Sequence, residues 1–421
     1  MKFARIGQTL LAVAASLALG SGITSCSPSQ TIDYLFVTSN SAGAGGNGQV
    51  SSWHVDSESG AISQVAGSPV SSQGANPVAE VASPSGQYLY VANHGSNNVA
   101  EFIIGTDGQL SFGHTYSTPG SEPTALAINN AGTLLFVLDF YSPGFTDAAP
   151  GPGALVVFPI NADGTLGTPV ASGGQSYTTL QCFPTGVAVA PNGSFAYVSN
   201  TNAVVVTTSP PSTSTPPPTP ATCPKNGTVA GFSVSSSGVL AAVPGSPFSA
   251  GTTPTGIAVD VTSRFLYTTD SVQNQLIAYE ILAGGALQPL TNGPFTTGTF
   301  PVNLVVDPRD KYLYVSNYNA STVSAFTISQ ASGQPSALAA NTFDTRDPGP
   351  TCILVDPAFG RFVYASLSQF NAVAAATLNP NTGELSNVQN SPYSVTGTAT
   401  CVAAVAHGNH ATQYVSSTAG Q

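Results

Sequence analysis

A repeat constrains this chain more than any other feature. One pattern recurs: a Pro, a short apolar strand, a turn, and a second strand ending Tyr-Val-Ser-Asn or similar. A third strand carrying an aromatic residue follows, then Gly-x-Leu and a Ser-Pro or Gly-Pro. Clear copies begin at Pro77, Pro123, Pro184, Pro254, Pro301 and Pro350, spaced by 46, 61, 70, 47 and 49 residues, and a degenerate copy begins at Ala399-Thr400. The third strand occurs seven times, with Trp53, Phe102, Phe158, Phe232, Tyr279, Phe326 and Ala376 at its aromatic position. Side chains alternate across a strand, so an aromatic fixed on each copy predicts a repeated core contact. A unit of about 50 residues built from three or four strands stacks into a β-propeller. The expected fold is all-β, a single seven-bladed propeller. The chain opens on a second strand, near Asp33, so a first strand from Cys401 to Ala406 must complete the N-terminal blade and remove the open sheet edge. Either Leu35 to Thr38 or Gln413 to Ser416 can take the second position there.

Composition agrees and narrows the function. With 42% hydrophobic residues, 43 Gly and 33 Pro, the chain has both a core and abundant turns. Only 6% of its 421 residues are charged, against about 25% in an average domain. Lys and Arg total 8 and Asp and Glu 19, giving a net charge of −11. That excludes nucleic acid, which needs clustered cations to displace counterions. It also argues against highly phosphorylated substrates, since few cations can clamp them.

Residues 1–25 read as a signal peptide. Lys2 and Arg5 precede an apolar run from Ile6 to Leu19, too short for a comfortable membrane span. Ile23-Thr24-Ser25-Cys26 resembles a bacterial lipobox, which implies cleavage before Cys26 and lipidation of its thiol. Residues 26–31 would tether the propeller, 32–421, to a membrane of the cell envelope, facing the periplasm or the cell surface. Ser209 to Pro220 is Pro-rich and favours polyproline II, so residues 201–227 form a loop insertion.

Tyr90-Val91-Ala92-Asn93, Tyr197-Val198-Ser199-Asn200 and Tyr314-Val315-Ser316-Asn317 resemble the Tyr-Val-Thr-Asn repeat family. The whole unit, over about residues 32–415, is similar to the seven-bladed lactonases that include 6-phosphogluconolactonase-like proteins. The resemblance implies the propeller and a lactone-hydrolase activity. It also implies a His, Arg and Glu cluster at the channel mouth, although no family motif aligns residue by residue.

Aligning the copies removes most charged residues from consideration. Asp260, Asp307 and Asp356 each lie six residues after their Pro and are expected to bind turn backbone. Arg264, Lys311 and Arg361 each precede the second strand, a recurrence that favours a structural role. Gly43 to Gly48 matches a dinucleotide fingerprint but opens no helix, so it reads as a hairpin loop. His54 is expected at the surface. His407 and His410 lie on the face opposite the binding loops, and no metal site or cofactor is expected.

In a propeller, inter-blade loops and loops between second and third strands share one face. His94 and Glu122 fall in such loops of neighbouring blades, Asp139 and Asp147 in an enlarged loop beside Phe140, Tyr141 and Phe145, and Arg346 in another inter-blade loop. A hydrolytic site would use His94 or Glu122 to activate water and Arg346 to stabilise negative charge, with Asp139 in support. Carboxylates beside aromatics also suit sugars.

Four further cysteines allow three pairings. Cys182 in an inter-blade loop and Cys223 in the large loop of that blade share one face, and Cys352 and Cys401 hold one repeat position in adjacent blades. The expected bridges are therefore Cys182–Cys223 and Cys352–Cys401.

Two functions remain. The residues favour an exported, lipid-anchored module that binds a neutral ligand, glycan or protein through its loop face. The family resemblance supplies the alternative, a lactonase-like hydrolase opening a sugar lactone.

Overall fold

A computed structural model describes residues 30–40, 46–201, 223 and 225–408. They form seven antiparallel sheets of four or five strands. The inner strands are Pro77–Ala82, Ser121–Ile128, Pro184–Val189, Pro254–Val259, Pro301–Val306, Pro350–Val355 and Thr398–Ala406. We number the blades from the closing one: blade 1 takes Thr398–Ala406 as its inner strand, and blade 2 begins at Pro77. In blade 1 the inner strand pairs with Thr31–Asn40, which holds the second position. Gln413 to Ser416, the lipobox and most of the Pro-rich insertion lie outside the described residues.

The aromatic position of the third strand is in register throughout. Trp53 faces Leu35, Phe102 faces Leu89, Phe158 faces Leu135 and Phe326 faces Leu313. Each such pair is buried between sheets.

The Tyr of the repeat has a further role. Tyr90, Tyr197, Tyr267, Tyr314 and Tyr364 are fully buried, and each hydroxyl donates to a glycine carbonyl of the next blade: Gly164, Gly285, Gly333, Gly383 and Gly60, at 2.7–2.9 Å. Tyr364 to Gly60 carries this contact across the closure from blade 7 to blade 1. Gly60 lies at φ 69, and a Cβ there would meet the Phe362 ring at 2.3 Å, so only glycine fits.

The charged turns behave as expected. Asp307 Oδ1 accepts from the amides of Lys311 and Tyr312 at 2.7 and 2.8 Å, and Asp260 and Asp356 repeat the pattern. Arg264 and Arg361 lie over the rings of Phe265 and Phe362. Arg309 is buried in the same kind of turn, bonding Asp307 at 2.7 Å and the Gly360 carbonyl.

Two expectations need correction. His54 is half-buried, because Tyr34 packs on it with ring centroids 5.4 Å apart. Cys182 ends a fourth strand, Thr178–Cys182, rather than lying in a loop. Cys182 is bridged to Cys223, and Cys352 to Cys401, with Cα separations of 5.7 and 4.9 Å. The second bridge joins the inner strands of blades 7 and 1. His407, on the opposite face, packs edge-on against Tyr34, and His410 lies outside the described residues.

Candidate functional site

The inner strands surround a central channel of about 210 Å³. Its wall carries a threonine after the repeat Pro in several blades. Their hydroxyls are committed to backbone: Thr185 donates to the Pro254 carbonyl, Thr255 to that of Pro301, and Thr351 to that of Thr400, at 2.8–3.0 Å. These bonds tie the inner strands of blades 4, 5 and 7 to those of blades 5, 6 and 1.

The residue before the repeat Pro stands where the channel wall begins. Asn76, Glu122, Phe183, Phe300 and Gly349 all adopt positive φ there. Asn and Gly tolerate this, whereas Glu and Phe adopt it at a cost. The conformation of Glu122 therefore belongs to the repeat, while its side chain does not.

His94 opens a single 3-10 turn, His94–Ser96, between the second and third strands of blade 2. Asn97 ends that turn in the left-handed region, and its Oδ1 accepts the backbone amide of Glu122 at 2.7 Å. Asn274 holds Phe300 in the same way at 2.8 Å. This clamp brings His94 Nε2 to 3.7 Å from Glu122 Oε2, with side chains 28% and 24% exposed. Asp147 completes the group: Tyr141 donates to its Oδ1 at 3.1 Å.

These groups perturb one another. Burial raises Glu122 to about 7, and the Asp147 carboxylate adds to the shift. Burial lowers His94, so its imidazole is neutral near pH 7, with Asp147 and the carbonyls of Pro123 and Glu122 opposing the shift. Tyr141 is held far above its ordinary range by burial, then by Asp147 and Glu122. Beside them Phe140, Tyr141 and Phe183 pack with centroids 4.8 to 6.5 Å apart, against the Cys182–Cys223 bridge.

The structure separates the four residues proposed for catalysis. His94 and Glu122 meet. Asp139 lies inside the strand Leu134–Tyr141, not in the loop after it, and is fully buried. It occupies the position of the repeat Asn, and its Oδ2 accepts the Gly120 amide at 2.9 Å. Asp270 braces its own inter-blade loop likewise, through Thr252 and Thr253. Asp139 is thus a positioning residue for the loop carrying Glu122. Arg346 lies between blades 6 and 7, across the ring from blades 2 and 3, and donates to the Ser391 carbonyl at 3.0 Å.

Sequence reasoning does not single out Asn97 or Glu80. Glu80 lines the channel, and it stands at the register position where the other blades carry Leu126, Val187, Ile257, Leu304, Ile353 and Val402. That break in the repeat was a readable signal. Its Oε1 accepts the Thr38 amide at 3.2 Å, so Glu80 braces blade 2 against the closing blade, and burial raises its pKa well above the ordinary range.

The fold and the repeat define a class: the model of the lactonase family with a seven-bladed β-propeller matches residues 35–142 and 225–355. The chain belongs to that family. Its fold is similar to that of the periplasmic gluconolactonase PpgL of Pseudomonas aeruginosa, at 17% identity and TM-score 0.70, covering 90% of this chain and 100% of that one. Candidate 6-phosphogluconolactonases from Bacteroides uniformis and Bacteroides fragilis are similar at 16% and 18% identity, with TM-scores of 0.68 and 0.66. They cover 89% of this chain and 100% and 98% of theirs. No curated protein matches the sequence.

Proposed function

We propose that the protein hydrolyses a sugar lactone at the junction of blades 2 and 3. The observation that carries this reading is the His94–Glu122 pair, with Glu122 raised to about 7. A general base works best when its pKa lies near the operating pH. Glu122 as carboxylate takes a proton from water while the water oxygen attacks the lactone carbonyl. The ring C–O bond then breaks, and the proton passes to the leaving alkoxide. Neutral His94 is the donor available to the developing oxyanion, while the Tyr141 hydroxyl is committed to Asp147. Family membership supports the chemistry, and the disulfides are compatible with the export that the leader implies. On this reading, a lipid anchor at Cys26 would hold the enzyme at the cell envelope.

The test is opening of D-glucono-1,5-lactone above its rate in buffer. Glu122→Gln should lower kcat/KM about 100-fold or more, within the usual range for a lost general base. An unchanged rate in a His94→Ala, Glu122→Ala double variant would remove this site. Saturable lactone binding without opening would instead favour a non-catalytic binding module, the reading that the aromatic wall also suits.

A further inference from the structure

We propose that this site selects the lactone of an unphosphorylated sugar and rejects the sugar-phosphate lactone. The inference rests on the lactonase reading above and concerns its substrate. It stands on where the charges of the molecule are. The described residues include six basic ones. Arg264, Lys311 and Arg361 sit between first and second strands, at the end of the blades opposite the site. Arg309 is buried in one of those turns and spent on Asp307 and Gly360. Arg346 is across the ring, bound to Ser391. Lys225 is exposed on the long loop of blade 4, on the site's own face and two residues after the Cys223 that packs beside Tyr141 and Phe183, so it is the one described Lys or Arg in the neighbourhood of the aromatic wall.

The charges that shift His94, Glu122 and Tyr141 all come from carboxylates: Asp147 acts on each, and Glu122 acts on Tyr141. A phosphomonoester brings about −1.5 to −2 charges and needs cationic or amide donors. Here it would meet two acidic side chains. The uncharged ring of an aldonolactone meets instead the half-buried Phe140, with carboxylates in reach of its hydroxyls. The same field also helps the product leave, because opening converts a neutral lactone into a carboxylate.

The experiment compares initial rates on D-glucono-1,5-lactone and its 6-phosphate for the full chain at pH 7, each corrected for spontaneous opening. The expected result is a kcat/KM at least about 100-fold higher for the neutral lactone, with the ratio shrinking as salt rises to about 0.5 M and the Debye length contracts. Equal or faster opening of the phosphate would overturn the inference and leave the lactonase reading standing. A neutral preference indifferent to salt would also overturn it, since shape rather than charge would then discriminate. Failure to open either lactone would remove the lactonase reading and this inference with it.

Discussion

Asp139 shows why a buried carboxylate near a site need not act in it. Burial pushes it up to about 8, against the Thr118 and Gly120 contacts that lower it. It is therefore protonated in the fold near neutral pH. An acid with a raised folded pKa contributes its full stability below its unfolded value, 3.8 here, and loses it as pH climbs toward 8. The repeat places Asn93, Asn200 and Asn317 at this position. Asp139→Asn should consequently stabilise the fold more at pH 8 than at pH 5, by on the order of 1 kcal/mol at the higher pH, read as a larger rise in Tm there. Lactone opening should change by less than about threefold. A loss of activity near that of Glu122→Gln would return Asp139 to the chemistry.

At the scale of strands and turns, much of the architecture is legible because the same contact is made again and again. The aromatic of the third strand and the Asp after the first could be read by aligning copies. Contacts made once are harder. The meeting of His94 with Glu122 depends on Asn97 and a left-handed turn, which strand patterning does not report. Asp139 looked like a loop residue because the enlarged loop hides where the strand ends. The repeat Tyr carries information only once the next blade is in place. Tyr364→Phe removes the donor to Gly60 and should cost about 1 kcal/mol, read as a lower urea midpoint at unchanged m. Phe36 and Phe136, at the same position in blades 1 and 3, show that the ring without the hydroxyl is tolerated. An unchanged midpoint would mean that the hydrogen bond adds no net stability.

Over the whole molecule, scarcity of charge becomes a pattern of placement. Four of the six described basic residues serve the turns at one end of the blades, beside Asp260, Asp307 and Asp356, while the opposite face holds Glu122 and Asp147 beside His94, with Arg346 across the ring and Lys225 on the long loop of blade 4. Composition could report the shortage but not this placement, which depends on the direction of each strand in the ring. Closure has the same character. The N-terminal second strand foretold that a C-terminal strand would complete the ring, whereas Glu80 and the Cys352–Cys401 bridge show how that blade is held on both sides. The account rests on Glu122 acting as a base with a pKa near 7. The most direct measurement is the pH dependence of kcat/KM for D-glucono-1,5-lactone opening, which reports the free enzyme's groups. The predicted result is a rate that rises through a limb near 7 and a limb that vanishes in Glu122→Gln. A limb at the ordinary carboxylate value of 4.5, or one near 7 that persists in the variant, would contradict it.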